Sequence, residues 1–410
     1  MKTQYNLLAP AGNFPMLVAA VKAGADAVYL GLKEGFGMRA TAKNFSLKDL
    51  VKVRKICNTK SPYGKKVKIY LTLNTIVYEN EIKKVEKIVK ILAKDKLVDV
   101  IICWDHSVMG FCRKYKIPFH VSTQASASNS GAVDFYKKLG AENIVLAREL
   151  SLKQIKQIKK KSKGIGLEAF VHGAMCVAVS GRCFTSQFLF NKSANRGQCL
   201  HPCRRTYIVK DEEGNELKLE NNKVLSAKDL CTLPFIEKLK SAGITTFKIE
   251  GRNRDARYVD TVVSIYRKAL DKKLTKKEIK NAIERLKTVY NRQFSSGFYL
   301  GTPTNDDFSD TENSSATEKK HFVGKLLHYY PQVKVATIKL VSQLKVGDKI
   351  AIIGNTTGIE SAIIESMEIK NKPVEKAKKG QEVGIKIKLG KRKSNSRLRK
   401  NDEVYVILSS

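Results

Sequence analysis

Long hydrophobic runs are missing from this sequence. No stretch of about 18 apolar residues occurs in its 410 positions, so an ordinary transmembrane helix is not expected. The opening MKTQYNLLAPAG holds no apolar segment of signal-peptide length. A cytoplasmic location without membrane association is therefore expected. Thiols stay reduced there, so the eight Cys should be free, catalytic or metal-bound rather than paired. Acidic residues are scarce: 39 Asp and Glu face 76 Lys and Arg, a net charge of +37. A surface merely enriched in Lys would normally carry more Glu as well. The imbalance favours a polyanionic partner, because phosphate contacts release counterions, and nucleic acid is the expected one. Three motifs are absent too. Without His-Glu-x-x-His the chain is no ordinary zinc metallopeptidase. Without Gly-x-Ser-x-Gly it lacks the usual serine-hydrolase elbow. Gly-x-Gly-x-x-Gly, the dinucleotide fingerprint, is also missing.

What is present is a regular alternation. NLLAPAG reads as a strand and NFPMLVAAVKAG as a helix stopped by Gly24. ADAVYLGL, VKIYLTLNT, VDVIICWD, FHVSTQAS, ENIVLAREL, GIGLEAFVHG and ITTFKIEGR read as seven further strands. Helical patterns separate them, one opening at a Ser N-cap in SLKDLVKVRKIC and the last being ARYVDTVVSIYRKAL. Eight strand–helix units predict parallel pairing with right-handed crossovers. An open doubly wound sheet gives the same alternation, but eight units in about 265 residues favour a closed (β/α)8 barrel.

The strands end alike. Asn74, Asp105, Gln124, Arg148 with Glu149, Glu168 with His172, and Glu250 with Arg252 each close or follow an apolar run. In a barrel such residues meet at the C-terminal face, where catalysis takes place. The expected organisation is an α/β barrel domain over 1–300, interrupted by a Cys-rich insertion at about 174–222. A hairpin turning at Gly214 and Asn215 ends the insertion. A polar linker over 301–320 and a small all-β barrel over 321–410 complete the chain. The basic stretch KLGKRKSNSRLRKND in the last domain reads as a phosphate-contact loop or a solubilising surface.

Chemistry concentrates in EAFVHGAMCVAVSGRCFTSQFLFNKSANRGQCLHPCRRTY, where Cys176, Cys183, Cys199 and Cys203 have the spacing Cys-x6-Cys-x15-Cys-x3-Cys. Four thiolates suit zinc or an iron–sulfur cluster. Structural zinc knuckles use two short Cys-x2–4-Cys arms, and only one arm is short here, which favours a cluster bridging separate loops. Gly181 and Gly197, two residues before Cys183 and Cys199, would let backbone approach inorganic sulfur. Arg182, Arg196, Arg204 and Arg205 would stabilise thiolates and attract anions. Cys57, Cys103 and Cys112 fall at apolar positions and read as core. Cys231, read as beginning a helix, is the alternative fourth ligand.

The run Glu168, Gly173, Cys176, Gly181, Cys183, Ser186 resembles the signature of the peptidase U32 family. NRGQC, Cys203–Arg204, KIEGR, LAPAG and ADAVYLG resemble further motifs of that family. The similarity spans the first 300 residues, and the last 90 resemble the family's β-barrel, akin to domain two of elongation factors. The resemblance implies one of two activities. Some members are named as collagenase-type proteases. Others are hydroxylases independent of molecular oxygen that act on tRNA uridine, on a ribosomal RNA cytidine or in ubiquinone biosynthesis. For the hydroxylases it implies a [4Fe–4S] cluster on Cys176, Cys183, Cys199 and a fourth ligand, here Cys203. For the RNA branch it implies prephenate as oxygen donor.

The expected function is accordingly 5-hydroxylation of a pyrimidine in RNA, tRNA foremost, with a small carboxylate cosubstrate. Arg39, Arg148 and Arg252 would clamp carboxylates or phosphates, with Asn74, Gln124, Arg196 and Arg204 completing the substrate-binding set. Glu168, His172, Glu250 and Arg252 are the catalytic candidates. A structural Glu250–Arg252 ion pair, a core role for His172 and a loop-orienting Glu168 are the plainer readings. A peptidase pairing Cys176 with His172, and an RNA-binding scaffold with structural zinc, are the alternatives.

Overall fold

The computed structural model describes residues 5–205, 207–219, 225–311, 313–389 and 398–410. Strands β1 (Asn6–Pro10), β2 (Ala27–Leu30), β3 (Lys68–Leu73), β4 (Val100–Cys103), β5 (Phe119–Val121), β6 (Asn143–Val145) and β7 (Gly166–Gly173) pair in parallel in chain order. Strands β8 (Tyr207–Lys210) and β9 (Glu216–Leu219) form the expected hairpin. Strand β10 (Asp229–Cys231) runs antiparallel to the end of β7. Strand β11 (Thr246–Ile249) is parallel to both β7 and β1 and closes the barrel. A two-residue strand, β12 (Phe294–Ser295), lies beside β10.

Helices follow the barrel strands as the sequence predicts: α1 (Phe14–Ala23), α2 (Asp49–Asn58), α3 (Ile82–Lys94), α4 (His106–Lys114), α5 (Ser130–Lys138) and α6 (Leu152–Lys161). The six-residue α7 (Thr185–Phe190) lies in the insertion, followed by α8 (Ile236–Ala242), α9 (Ala256–Asp271) and α10 (Lys276–Lys287). Local chemistry sets the ends. The Asn13 side chain accepts the Met16 N–H to start α1, and Gly24 at φ 95° stops it. Ser151 and Gln154 form a capping box on α6. Helix α2 begins two residues later than a cap at Ser46 would start it. Asp49 is its first residue, and the Ser46 hydroxyl and Asp49 carboxylate bond each other ahead of it.

The main core lies between strands and helices, while Leu8, Ala27, Tyr29, Tyr70, Val100 and Ile102 fill the barrel interior. The last domain is a closed six-stranded antiparallel barrel. Its strands are Glu318–Tyr330, Val335–Leu340, Lys349–Gly354, Gly358–Ile369, Glu382–Leu389 and Glu403–Ser409. Ile353 and Ile359 of this small barrel join the core of the large one, and Lys22 of α1 bonds Glu360 at 3.0 Å and the Thr357 carbonyl at 2.7 Å. The polar segment at 301–320 is tied down along its length. Lys228 N–H donates to Asp307 O at 2.8 Å, Ser309 N–H to Ser226 O at 2.8 Å, and Thr317 N–H to Lys287 O at 3.0 Å. Most of the basic stretch near 390–397 lies outside the described residues. Among the described residues no helix is long and apolar enough to cross a membrane.

Candidate active site

The C-terminal ends of the barrel strands open into one cavity of about 190 Å³, capped by residues of the insertion. Its floor is built mid-strand from Tyr29, Thr72, Phe170 and Lys248. Its wall comes from Asn74, Gln124, Arg148, Glu250 and Arg252 beyond the strand ends, together with Arg39. Cys176, Cys183, Cys199, Cys203 and Arg204 line the side contributed by the insertion.

Glu250 organises the cations. Its Oε1 accepts from Arg39 Nε at 3.2 Å and its Oε2 from the Tyr29 hydroxyl at 3.3 Å. Burial alone would raise its carboxyl, but Arg39, Arg148 and Arg252 together hold it at about 2. Arg252 is buried, donating from Nη1 to Thr72 Oγ1 at 2.6 Å and from Nη2 to the Arg39 carbonyl at 3.3 Å. Burial lowers its guanidinium to about 10. Gly31 makes room for it, since a Cβ there would stand 2.8 Å from Nη1. Arg148 lies over the Phe170 ring, 4.0 Å from its centroid, and donates weakly to Ala174 O at 3.4 Å. Arg148 and Arg252 each bury an Nε–H that has no acceptor within the protein. Opposite them, the Asn74 amide donates to Ser122 Oγ at 3.0 Å and Gln124 Oε1 at 3.3 Å, while its oxygen accepts the Met38 N–H.

The insertion brings its four cysteines to this cavity, each half-buried. Gly173, at φ 102°, turns the chain out of β7 toward Cys176. Asn195 Oδ1 accepts the Cys183 N–H at 3.1 Å. The Thr185 N–H points at Cys183 Sγ and the His201 N–H at Cys199 Sγ, both at 3.4 Å. The Cys203 thiol is raised, first by burial, against the lowering effect of Arg204, and then by Cys176, Cys199 and Cys183, so those three sulfurs lie within electrostatic reach of Cys203. Among the described residues no three Cys, His, Asp or Glu side chains gather closely enough to grip a single metal ion. Cys176, Cys183, Cys199 and Cys203 are the residues whose soft sulfur donors would suit a metal group.

Several residues singled out from sequence stand elsewhere. Arg196 is outside the cavity lining and forks onto Glu81 and the Ile76 carbonyl, pinning the insertion to the loop after β3. Gly197, at φ 82°, does line the cavity and rests on a different loop, the one after β2. A Cβ there would meet Gly37 O at 2.8 Å, and its carbonyl accepts from Ala40 N–H. Glu168 is fully buried inside the barrel, bonded to Lys248 Nζ at 2.9 Å and Asn143 Nδ2 at 3.1 Å. His172 is buried with its Nδ1 3.4 Å from the Tyr266 hydroxyl, and burial lowers its imidazole to about 4. Cys231 ends strand β10 rather than starting a helix, pairs with His172 and does not line the cavity. Cys57, Cys103 and Cys112 are buried core, as expected. Sequence reasoning missed Tyr29, Thr72 and Lys248. Lys248 carried a usable signal, because a Lys inside the apolar strand run TTFKI is rarely buried unless paired.

Residues 12–309 match the model of peptidase family U32. An uncharacterized protease of Methanocaldococcus jannaschii is 40% identical over 99% of both chains. A collagenase of Porphyromonas gingivalis is 38% identical over 98% of this chain and 97% of its own. The tRNA hydroxylation protein P1 of Bacillus subtilis is 35% identical over 85% of this chain and 83% of its own. With its barrel, its insertion and these relatives, the chain belongs to peptidase family U32.

Proposed function

We propose that this protein is an iron–sulfur-dependent, cytoplasmic RNA-modifying enzyme that 5-hydroxylates a pyrimidine in tRNA or rRNA without molecular oxygen. The observation that carries the reading is four half-buried thiols facing one cavity whose wall and floor are cationic. Bound to Cys176, Cys183, Cys199 and Cys203, a [4Fe–4S] cluster supplies redox and Lewis-acid chemistry. The chain's own residues bind and orient. Arg148 and Arg252 bury Nε–H donors without acceptors, and buried donors rarely stay so. A small carboxylate cosubstrate, prephenate being the candidate, would satisfy them as a bidentate partner. Glu250, held near 2, is too weak a base to move protons at neutral pH. It fixes Arg39 and Tyr29 in place instead. Lys248, held from below by Glu168, is the amine in the cavity floor and the candidate proton donor. Gln124 fits the hydrogen-bonding edge of a base, and Asn74, its own amide engaged by Ser122, Gln124 and Met38, holds Gln124 in position.

A peptidase is the second reading, favoured by the names of two relatives. Its proposed Cys176–His172 pair is not supported, because the His172 ring is engaged by Tyr266 in the core. The scaffold with structural zinc draws no support from the spacing, because only one of the two Cys arms is as short as a zinc knuckle needs. Anaerobic purification with iron and acid-labile sulfide analysis tests the proposal, together with mass spectrometry of nucleosides from a deletion strain. C176S, C183S, C199S and C203S should each lose most of the iron, and C231S should keep it. Iron-free wild-type protein, or unchanged nucleosides in both tRNA and rRNA, would overturn it.

A further inference from the structure

The large apolar side chains left exposed are not spread evenly. Of the nineteen among the described residues, nine fall between positions 177 and 225: Val177, Val179, Phe184, Phe188, Leu189, Leu200, Tyr207, Ile208 and Leu225. Scattered exposed apolar residues need no explanation, but a contiguous concentration marks a binding surface. Phe188 is 87% exposed and Phe184 61%, four residues apart and flanking the first turn of α7. The patch runs into the cavity rim, since Val177, Tyr207 and Leu225 belong to both, and Cys183 and Thr185 on either side of Phe184 line the cavity.

Charge says what covers this surface. Residues 177–225 carry eight Lys and Arg against five Asp and Glu, but the acids all fall at 211–220; the part that holds Phe184 and Phe188, 174–210, contains six cations, Arg182, Lys192, Arg196, Arg204, Arg205 and Lys210, and no acid. Arg182, Lys192 and Arg205 are exposed, and Arg205 lies over the ring of Phe190 at the end of α7, 4.3 Å from its centroid. An apolar protein partner would meet an unbalanced positive rim, whereas unpaired nucleotides offer both a π-face and a phosphate. Aromatic rings stack bases regardless of identity, and cations track the backbone. An enzyme acting on a base must also take it out of its stack before the base enters a pocket.

We propose that the exposed aromatic face of the insertion, centred on Phe184 and Phe188, is a stacking platform for unpaired RNA bases beside the cavity mouth. The proposal rests on the RNA-modifying reading above and adds which surface holds the RNA and in what state. It binds single-stranded or loop nucleotides, not duplex. Because both rings face solvent, F184A/F188A should fold as wild type.

The test is titration of the full-length protein with a fluorescein-labelled 12-nucleotide single-stranded RNA, its duplex, and the same strand with abasic sites, each across a salt series. The double variant should bind the single strand roughly tenfold more weakly with the same salt slope, and duplex and abasic affinity should not change. R182A/R205A should instead lower the salt slope for every RNA. Equal affinity of F184A/F188A and wild type for the intact single strand would overturn the platform. So would an unchanged RNA affinity accompanied by loss of a bound protein. Absence of any RNA binding by the wild type would sink the RNA reading itself, and the platform with it, so the two failures are distinguishable.

Discussion

Glu250 is a carboxylate surrounded by the guanidinium groups of Arg39, Arg148 and Arg252. Its carboxyl lies near 2 against an ordinary value of 4.5. A group held lower in the folded than in the unfolded state contributes stability above its unfolded value, and that contribution is lost as pH falls through the folded one. The shift is worth about 3 kcal/mol at neutral pH. Glu250→Gln mimics the protonated acid and also leaves Arg39, Arg148 and Arg252 facing one another. We therefore expect E250Q to be less stable than wild type by at least that amount at pH 7, with the gap shrinking steadily from pH 4.5 toward pH 2. Urea denaturation midpoints at closely spaced pH values would show it. A gap that does not narrow on acidification would mean that Glu250 is not held ionised by its arginines.

Strands and helices were the most legible elements, and the reason is physical. An apolar run that ends in a polar cluster and is followed by a 3.6-residue pattern leaves little choice, as VKIYLTLNT before α3 shows. Short pieces were not legible. Strand β10 has three residues, and the Pro in the following CTLPF reads equally well as a helix start, so Cys231 was placed on the wrong kind of element. The positions of the four motif cysteines were readable from their spacing. The use of Arg196 as an anchor was not, because its partner Glu81 is 115 residues away. Strand orientation was hidden as well: Glu168 on β7 points into the barrel, not toward the cavity mouth, and meets Lys248 of β11. Breaking a buried pair strands one charge, at about 3–5 kcal/mol. E168Q and K248M should each destabilise on that scale, and the double variant should recover most of the loss. Thermal or urea unfolding of the three proteins closes the cycle. Strictly additive losses would show that the two side chains do not act on each other.

At the scale of the whole molecule, two barrels share a seam. Ile353 and Ile359 pack into the large barrel's core, Lys22 of α1 reaches Glu360 and the Thr357 carbonyl, and Arg257 pairs with Glu318. Gly358 sits between Thr357 and Ile359, at φ 70°, where a Cβ would meet Val18 Cγ1 at 2.9 Å and Ala19 N at 3.0 Å. The turn can lie this close to α1 only because it carries no side chain. Gly380 has a similar backbone, φ 88°, but a Cβ there would meet nothing within 4 Å. Valine at either site incurs comparable left-handed strain, on the order of 1–3 kcal/mol, yet only at position 358 does it also push the barrels apart. Calorimetry should therefore give one cooperative transition for wild type and for G380V, the latter at lower temperature, and two separated transitions for G358V. If G358V and G380V unfold alike, the seam does not couple the two barrels. The small barrel would then be a tethered neighbour of the catalytic one, not part of the same folding unit.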